Sequence, residues 1–349
     1  MIREAITKLI DGHDLTCGES EAVMNEIMDG AATPAQMAGF LTALRAKGET
    51  ADEITGCAQV MRSKAIPVQP RRTDIVDTAG TGGDGAGTFN ISTTAAFVIA
   101  GAGLGVAKHG NRAVSGRSGS ADLLEALGVN LDLTPVQVAE CIDEVGIGFL
   151  FAQKLHPAMG KVGPVRKELG IRTVFNILGP LTNPARTRAQ IVGVYDERLI
   201  RTIAHVLHAL GVRAAFVFHS ADGLDELTTT GINRVARFDN GTIYEQDLDA
   251  RRLGLPLASQ DDLRGGLPAA NAAITRNILS GIERGPQRDV VLLNAAAAIV
   301  VGGRAEDLSH GLVQANRSID SGQALAVLDS LIVKSQSYKV PDATREPAA

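Results

Sequence analysis

Apolar residues recur at helical spacing through the first seventy positions: Val23, Ile27 and Met28, then Met37, Phe40, Leu41 and Leu44, then Ile54, Cys57, Val60 and Met61. A Thr-x-x-Glu/Gln pattern precedes each run: Thr16 with Glu19, Thr33 with Gln36, and Thr50 with Glu53. In that pattern side chain and backbone satisfy each other's free groups at a helix start. Pro34 stands at a first helical position, where its missing N–H is no loss. These signals predict a small helical bundle ending near Pro67 and Pro70.

From Thr73 the texture changes to short β-branched runs alternating with longer helical patterns. Candidate strands are Ile75-Val-Asp, Gly105-Val-Ala, Gly148-Phe-Leu-Phe, Gln190-Ile-Val-Gly-Val-Tyr and Ala214-Ala-Phe-Val-Phe-His. Candidate helices cover 93–100, 197–210, 269–279, 289–301 and 323–333. Such alternation predicts an α/β domain whose mainly parallel sheet is covered by helices on both faces. Asn240-Gly241, between Val235-Ala-Arg-Phe and Thr242-Ile-Tyr, predicts a hairpin at the sheet edge. The expected division is a helical domain over 1–72, an α/β domain over 73–339 and a flexible tail over 340–349. The long apolar runs 95–107 and 290–301 are too short and glycine-interrupted to span a bilayer, and read as buried helices.

Composition narrows the function. The net charge of -5 offers a polyanion no surface to follow, and an aromatic content of 3% without Trp leaves little to stack on bases. Neither nucleic acid nor a membrane is an expected partner, so any phosphate site is local. The 3 cysteines, Cys17, Cys57 and Cys141, are far apart and read as reduced and buried. With no apolar leader after Met1-Ile-Arg-Glu-Ala, the expected location is cytoplasmic.

Two glycine-dense loops carry the candidate chemistry. In the first, glycines at 80, 82, 83, 85 and 87 let the main chain take positive φ and turn N–H groups inward as anion donors. Ser92-Thr93-Thr94 then opens a helix whose N-terminus adds donors and partial positive charge, with Asn90, Ser92 and Thr93 as candidates to complete a phosphate cradle. A plain strand-to-helix connection has the same glycines, and the loop is neither Gly-x-Gly-x-x-Gly nor a Walker loop. In the second, Lys108, Arg112 and Arg117 bring positive charge beside His109, Asn111, Ser115, Ser118 and Ser120, and phosphate or diphosphate contact is the favoured use. His109 is assigned no acid or base role. Asp222-Gly-Leu-Asp225-Glu226 suggests magnesium beside a phosphate, provided a turn at Gly223 lets neighbouring carboxylates converge. An isolated Asp-Glu pair is more commonly an exposed acidic turn capping a helix. Arg166 and Arg172 are each either a fork for a carboxylate or a surface charge.

Gly80-Thr-Gly-Gly-Asp84, Asn90-Ile-Ser-Thr93, Lys108-His-Gly-Asn-Arg-Ala-Val-Ser115, the stretch from Arg172-Thr-Val-Phe-Asn through Pro184, and Asp222-Gly-Leu-Asp-Glu226 occur in order and at family spacing. Together they closely resemble the anthranilate phosphoribosyltransferase family, from the helical N-terminus to about residue 335. The resemblance implies a nucleoside phosphorylase-like phosphoribosyltransferase fold. It implies a pentosyltransferase that moves 5-phosphoribose from phosphoribosyl diphosphate (PRPP) to the amine of anthranilate, on the way to tryptophan. It also implies two Mg2+ per monomer, a homodimer joined through the helical domain, and return of part of 170–186 to that domain. By matching positions, PRPP would contact Gly80, Gly83, Asp84, Thr88, Asn90, Ile91, Ser92, Thr93, Lys108 and Ser120, together with His109, Gly110, Asn111, Arg112, Ala113, Val114, Ser115 and Gly116. Anthranilate would contact Gly80, Asn111 and Arg166, with Arg166 at its carboxylate, and metal would contact Ser92, Asp225 and Glu226. The sequence departs from the pattern at Ser220, where relatives commonly have glycine.

Two rival readings stand beside this one. A pyrimidine nucleoside phosphorylase shares the architecture and a Lys-His-Gly loop, but would use phosphate as nucleophile and no metal. The Asp225-Glu226 turn and Asn111-Arg112 favour the transferase. A non-catalytic relative that binds nucleic acid would show a basic stripe, which the net charge of -5 opposes.

Overall fold

A computed structural model describes residues 1–113, 116–239 and 241–339. Helices α1 (Ile2–Ile10), α2 (Cys17–Asp29), α3 (Pro34–Lys47) and α4 (Ala51–Lys64) come first. The last three open on the capping boxes read from the sequence. Then follow β1 (Ile75–Gly80), α5 (Ile91–Gly101), β2 (Gly105–Gly110), α6 (Ser120–Leu127), α7 (Pro135–Val145), β3 (Ile147–Phe151), α8 (Ala152–Leu155), α9 (Met159–Leu169) and α10 (Phe175–Leu178). The chain continues through β4 (Ala189–Gly193), α11 (Leu199–Ala209), β5 (Ala214–Ser220), β6 (Ile232–Asp239) and β7 (Thr242–Asp249), and ends on α12 (Pro268–Leu279), α13 (Pro286–Val301), α14 (Leu308–Asp320) and α15 (Gln323–Ser337).

The seven strands form one sheet in the order β3-β2-β1-β4-β5-β6-β7. The first five are parallel, and β6 and β7 close one edge as an antiparallel hairpin. Asn240 of the expected hairpin turn lies outside the described residues, as do Val114, Ser115 and the tail 340–349. Period-two alternation sends β5 side chains to both faces: Phe216 and Phe218 join one core, Ala215 and Val217 the other. The first core is roofed by α5 and α13, which are apolar all round and accordingly buried. The second core is shared by α1–α4, α9–α11 and the opposite sheet face. Val174, Phe175, Ile177, Leu178 and Leu181 belong to it, so this part of 170–186 packs with the N-terminal helices.

Several sequence readings need correction. The apolar run 95–107 is not one helix: the chain turns at Ala102 and Gly103 (φ +97) and re-enters the sheet as β2. Cys17 is half-buried, because its side chain lies at the rim of the bundle beside Glu21 and Gln59. Helix α9 has no counterpart among the candidate helices, since Gly160, Gly163 and Pro164 oppose helix, yet it forms where Val162 and Val165 pack on the N-terminal helices. Among the described residues no helix is long and apolar enough to cross a membrane.

Candidate active site

Chain order reverses at β1, which pairs with β2 on one side and β4 on the other. Open parallel sheets bind ligands outside the carboxyl ends of their strands at such a point. A cavity of about 530 Å³ lies there, floored by Gly80, Lys108–Gly110 and the turn after β5.

The first loop leaves β1 with positive φ at Gly82, Gly83, Gly85 and Gly87 (φ +71, +80, +73 and +67). The acidic turn rises against it. A Cβ on Gly80 would collide with the Asp225 carboxylate, so only glycine permits this approach. Gly82 N–H donates to Asp225 Oδ2 at 2.6 Å, and Ser92 N–H, at the start of α5, donates to Glu226 Oε1 at 3.1 Å. The turn itself is set by Ser220, whose hydroxyl accepts from Leu224 N–H at 3.0 Å and donates to Asp222, while Gly223 takes φ +89. Neighbouring carboxylates thus converge on one cavity wall instead of facing apart. Burial pushes Asp225 up to about 7, with Asp84 adding repulsion, and pushes Glu226 up to about 8, with Asp225 adding repulsion.

Lys108 is buried at the end of β2, its Nζ donating to Thr78 O at 2.5 Å. Burial lowers its pKa against the opposing pull of Asp77, Glu226 and Asp225. Asp77, which the sequence reading does not single out, is buried beneath the site and accepts from His109 N–H at 3.2 Å and Asn183 Nδ2 at 2.8 Å. Nothing local in the sequence marks it, since Asn183 is 106 residues away.

The second loop is held by α6: Asp122 accepts from Gly119 N–H and Ala113 N–H at 2.9 Å each, and Asn111 O accepts from the Ser120 hydroxyl at 3.3 Å. Arg112 faces the cavity rim already paired with Asp122 and Glu125. Asn90 ties the loops together, donating to Ser118 O at 3.0 Å and accepting from the Ser118 hydroxyl at 3.1 Å.

At the far end, Arg166 of α9 lies 5.4 Å above the Phe175 ring. Its side chain makes no ion pair or hydrogen bond among the described residues, and burial lowers its pKa. A desolvated, unpaired guanidinium suits a planar carboxylate. Met159, Phe175, Pro180 and His156 line the same end, and no sequence signal marks them. Arg172 is neither of the things expected of it: its guanidinium lies 3.9 Å from the Tyr195 ring centroid and Nη2 donates to Gly83 O.

Of the expected site residues, Gly80, Gly83, Asp84, Thr88, Asn90, Ser92, Thr93, Lys108, His109, Gly110, Asn111, Arg112, Ala113, Gly116, Ser120, Arg166, Asp225 and Glu226 all line this one cavity. Ile91 does not; as the first residue of α5 it turns into the core and is fully buried.

Two successive stretches match a known family: residues 3–65 its helical bundle domain and 72–325 its a/b domain, both of the glycosyl transferase family. The fold and the cavity therefore belong to a two-domain glycosyl transferase. The anthranilate phosphoribosyltransferase of Roseiflexus sp. (strain RS-1) is 56% identical over 336 residues, 96% of this chain and 98% of that one. That of Moorella thermoacetica is 54% identical over 338 residues, 97% and 99% of the two chains. Among solved structures, the Thermus thermophilus anthranilate phosphoribosyltransferase superposes with a TM-score of 0.91 at 44% identity, covering 95% of this chain and 99% of that one. The Saccharomyces cerevisiae enzyme in complex with PRPP and Mg gives 0.88 at 29% identity, covering 96% and 98%. The chain belongs to the anthranilate phosphoribosyltransferase family, whose members are pentosyltransferases. Neither the nucleoside phosphorylase nor the nucleic-acid-binding reading is favoured.

Proposed function

We infer that this chain transfers 5-phosphoribose from PRPP to the amine of anthranilate, giving N-(5-phosphoribosyl)anthranilate and diphosphate in tryptophan biosynthesis. The observation that carries this reading is the polarity of the cavity. Main-chain donors and paired carboxylates stand at one end, and a half-buried guanidinium without an acidic partner, set on an aromatic ring, at the other.

In this reading the main chain of 80–93 and 108–120 holds PRPP, while Gly80, Asn111 and Arg166 hold anthranilate. Asp225, buried, and Glu226, half-buried beside it, both with raised pKa values, have the donor character of a divalent cation site, with the Ser92 side chain beside Glu226. No group of three or more His, Cys, Asp or Glu among the described residues is arranged to hold a metal by itself. That suits Mg2+, which takes one or two carboxylates and fills its remaining positions with water and substrate oxygens. Two Mg2+ bound with PRPP would neutralise charge developing on the leaving diphosphate.

The amine lone pair of anthranilate forms the new bond to ribose C1 as the C1–O bond breaks, its electron pair leaving with diphosphate, and the proton that the new ammonium nitrogen sheds passes to the released diphosphate or to water. The amine is neutral at pH 7, so no side chain is assigned as acid or base. The chain's contribution is orientation by Arg166 and Asn111, N–H donation to the departing oxygens, and exclusion of water from the cation-like sugar by closure over the cavity. Residues 1–72, with part of 170–186, act as the small domain of a cytoplasmic homodimer, and 73–339 as the PRPP-binding domain.

Purified protein mixed with Mg2+, PRPP and anthranilate should consume the free aromatic amine and release diphosphate in equal amounts. Persistence of both substrates in protein that remains folded would overturn the reading. Light scattering of the same sample reads the dimer.

A further inference from the structure

Arg172 lines no part of the cavity, yet it makes the contact that joins α9–α10 to the first glycine loop. Its position is set from both sides. Gly170 ends α9 in a left-handed turn (φ +62), its N–H donating to Arg166 O at 3.2 Å, and Thr173 N–H donates to Asn176 Oδ1 at 3.0 Å to open α10. Between these anchors the guanidinium lies over the Tyr195 ring and donates through Nη2 to Gly83 O. Tyr195 in turn donates its own N–H to Thr81 Oγ1 at 3.0 Å, and Thr81 N–H donates to Gly193 O at 2.9 Å. The contact is close enough that a Cβ on Gly83 would lie 3.1 Å from Nη2. The next residue, Asp84, is within hydrogen-bonding reach of Asp225.

We propose that Arg172 is a positioning residue, a clasp that holds residues 81–84 in the conformation in which their main chain meets PRPP. A loop with four positive-φ glycines has many conformations to lose on binding. An external donor on the carbonyl at its centre removes part of that freedom before the substrate arrives. The planar fork suits the task because it stacks and donates at once; a lysine ammonium has no face to lay on the Tyr195 ring. Helix α9 also carries Arg166, so one short stretch of chain, 166–172, reaches both the acceptor end and the donor loop of the cavity. The kinetic part of this proposal rests on the transferase reading; the structural part does not.

The test compares the full-length protein with Arg172→Ala, Arg172→Lys, Tyr195→Leu and the Arg172→Ala/Tyr195→Leu double variant. Hydrogen exchange of the peptides covering 80–90, without substrate, should speed up in all four variants, while the peptides of α13 stay unchanged. The KM for PRPP should rise roughly tenfold with the anthranilate KM within about twofold, and the double variant should be no worse than Arg172→Ala because one clasp is lost in each. Unchanged loop exchange would overturn the proposal, whatever the kinetics. In that case a raised PRPP KM alone would mean that Arg172 touches the substrate directly. Strictly additive losses in the double variant would also overturn it. If the unaltered protein turned over neither substrate, the transferase reading would fall while the exchange comparison still decided the clasp.

Discussion

Arg166 reaches the cavity as a half-buried cation over a phenylalanine ring, and burial lowers its pKa without any acid to restore it. A residue in that state is costly to the fold unless something anionic arrives, which is the reason to read it as the acceptor's anchor. Replacing it with alanine should weaken anthranilate binding by about 2 kcal/mol, roughly thirtyfold in KM, with the PRPP KM nearly intact; steady-state kinetics in both substrates checks this. Equal losses for the two would place its contact elsewhere. Asp225 and Glu226 show the opposite strain, two neighbouring carboxylates that repel one another, with Asp84 repelling Asp225 as well. Asp225→Asn with Glu226→Gln keeps an amide oxygen for Gly82 N–H and Ser92 N–H while removing the repulsion. The double variant should therefore unfold at the same temperature or higher, and lose magnesium-supported turnover by at least about a hundredfold. Melting curves and initial rates on one preparation separate the two effects.

At the scale of elements, caps decide where helices start. Helix α7 opens on Thr134, whose hydroxyl accepts from Gln137 N–H at 3.3 Å while Gln137 Oε1 accepts from Thr134 N–H at 2.8 Å. Thr134→Ala should cost about 1 kcal/mol in denaturant unfolding. Because α7 packs on β3 and α15 and lines no part of the cavity, turnover should not change. The sequence Thr134-Pro135-Val136-Gln137 repeats the pattern of Thr33-Pro34-Ala35-Gln36, so the start of α7 is as legible as that of α3. The parallel strands are legible because they are short apolar runs, most of them ending in glycine or a polar residue. Helix α9 is not, since Gly160, Gly163 and Pro164 speak against helix and only tertiary packing overrides them. The site divides in the same way. Both glycine loops are contiguous in the chain and can be read directly. The bond from Gly82 to Asp225 spans 143 residues, and the Arg172 clasp to Gly83 spans 89. Asp77 and His156 acquire meaning only once the sheet has folded, because no local spacing marks a buried partner.

Across the whole molecule the helical bundle is not a separate body. Its apolar side chains run without a break into those of α11 and one face of the sheet, and Arg62 of α4 donates to Leu181 O at 2.6 Å and Leu210 O at 2.9 Å. A chain of two histidines crosses the same junction nearer the cavity. His109 Nδ1 lies 3.1 Å from Gly179 O, and His156 Nε2 lies 3.2 Å from His109 Nε2. A carbonyl only accepts, so His109 carries its proton on Nδ1 and receives the His156 N–H on Nε2. Both rings are neutral: burial lowers His109 to about 4, with Lys108 adding repulsion, and His156 to about 3. In the unfolded chain each titrates near ~6.5. Between that value and the folded one the unfolded state binds more protons, so stability falls as pH falls through this window, by about 1.4 kcal/mol per pH unit for each ring. Asp225 and Glu226, with folded values of about 7 and 8 above their unfolded ones, contribute a slope of opposite sign over the same range. The net pH dependence of the unaltered protein is therefore not diagnostic, but a difference is. His156→Gln keeps an N–H donor to His109 and removes one titrating ring. Between about pH 7 and pH 5 its urea stability should fall by about 2 kcal/mol less than that of the unaltered protein. Equal falls would mean that His156 is exposed to protons in the folded state and that the junction is looser than its packing implies.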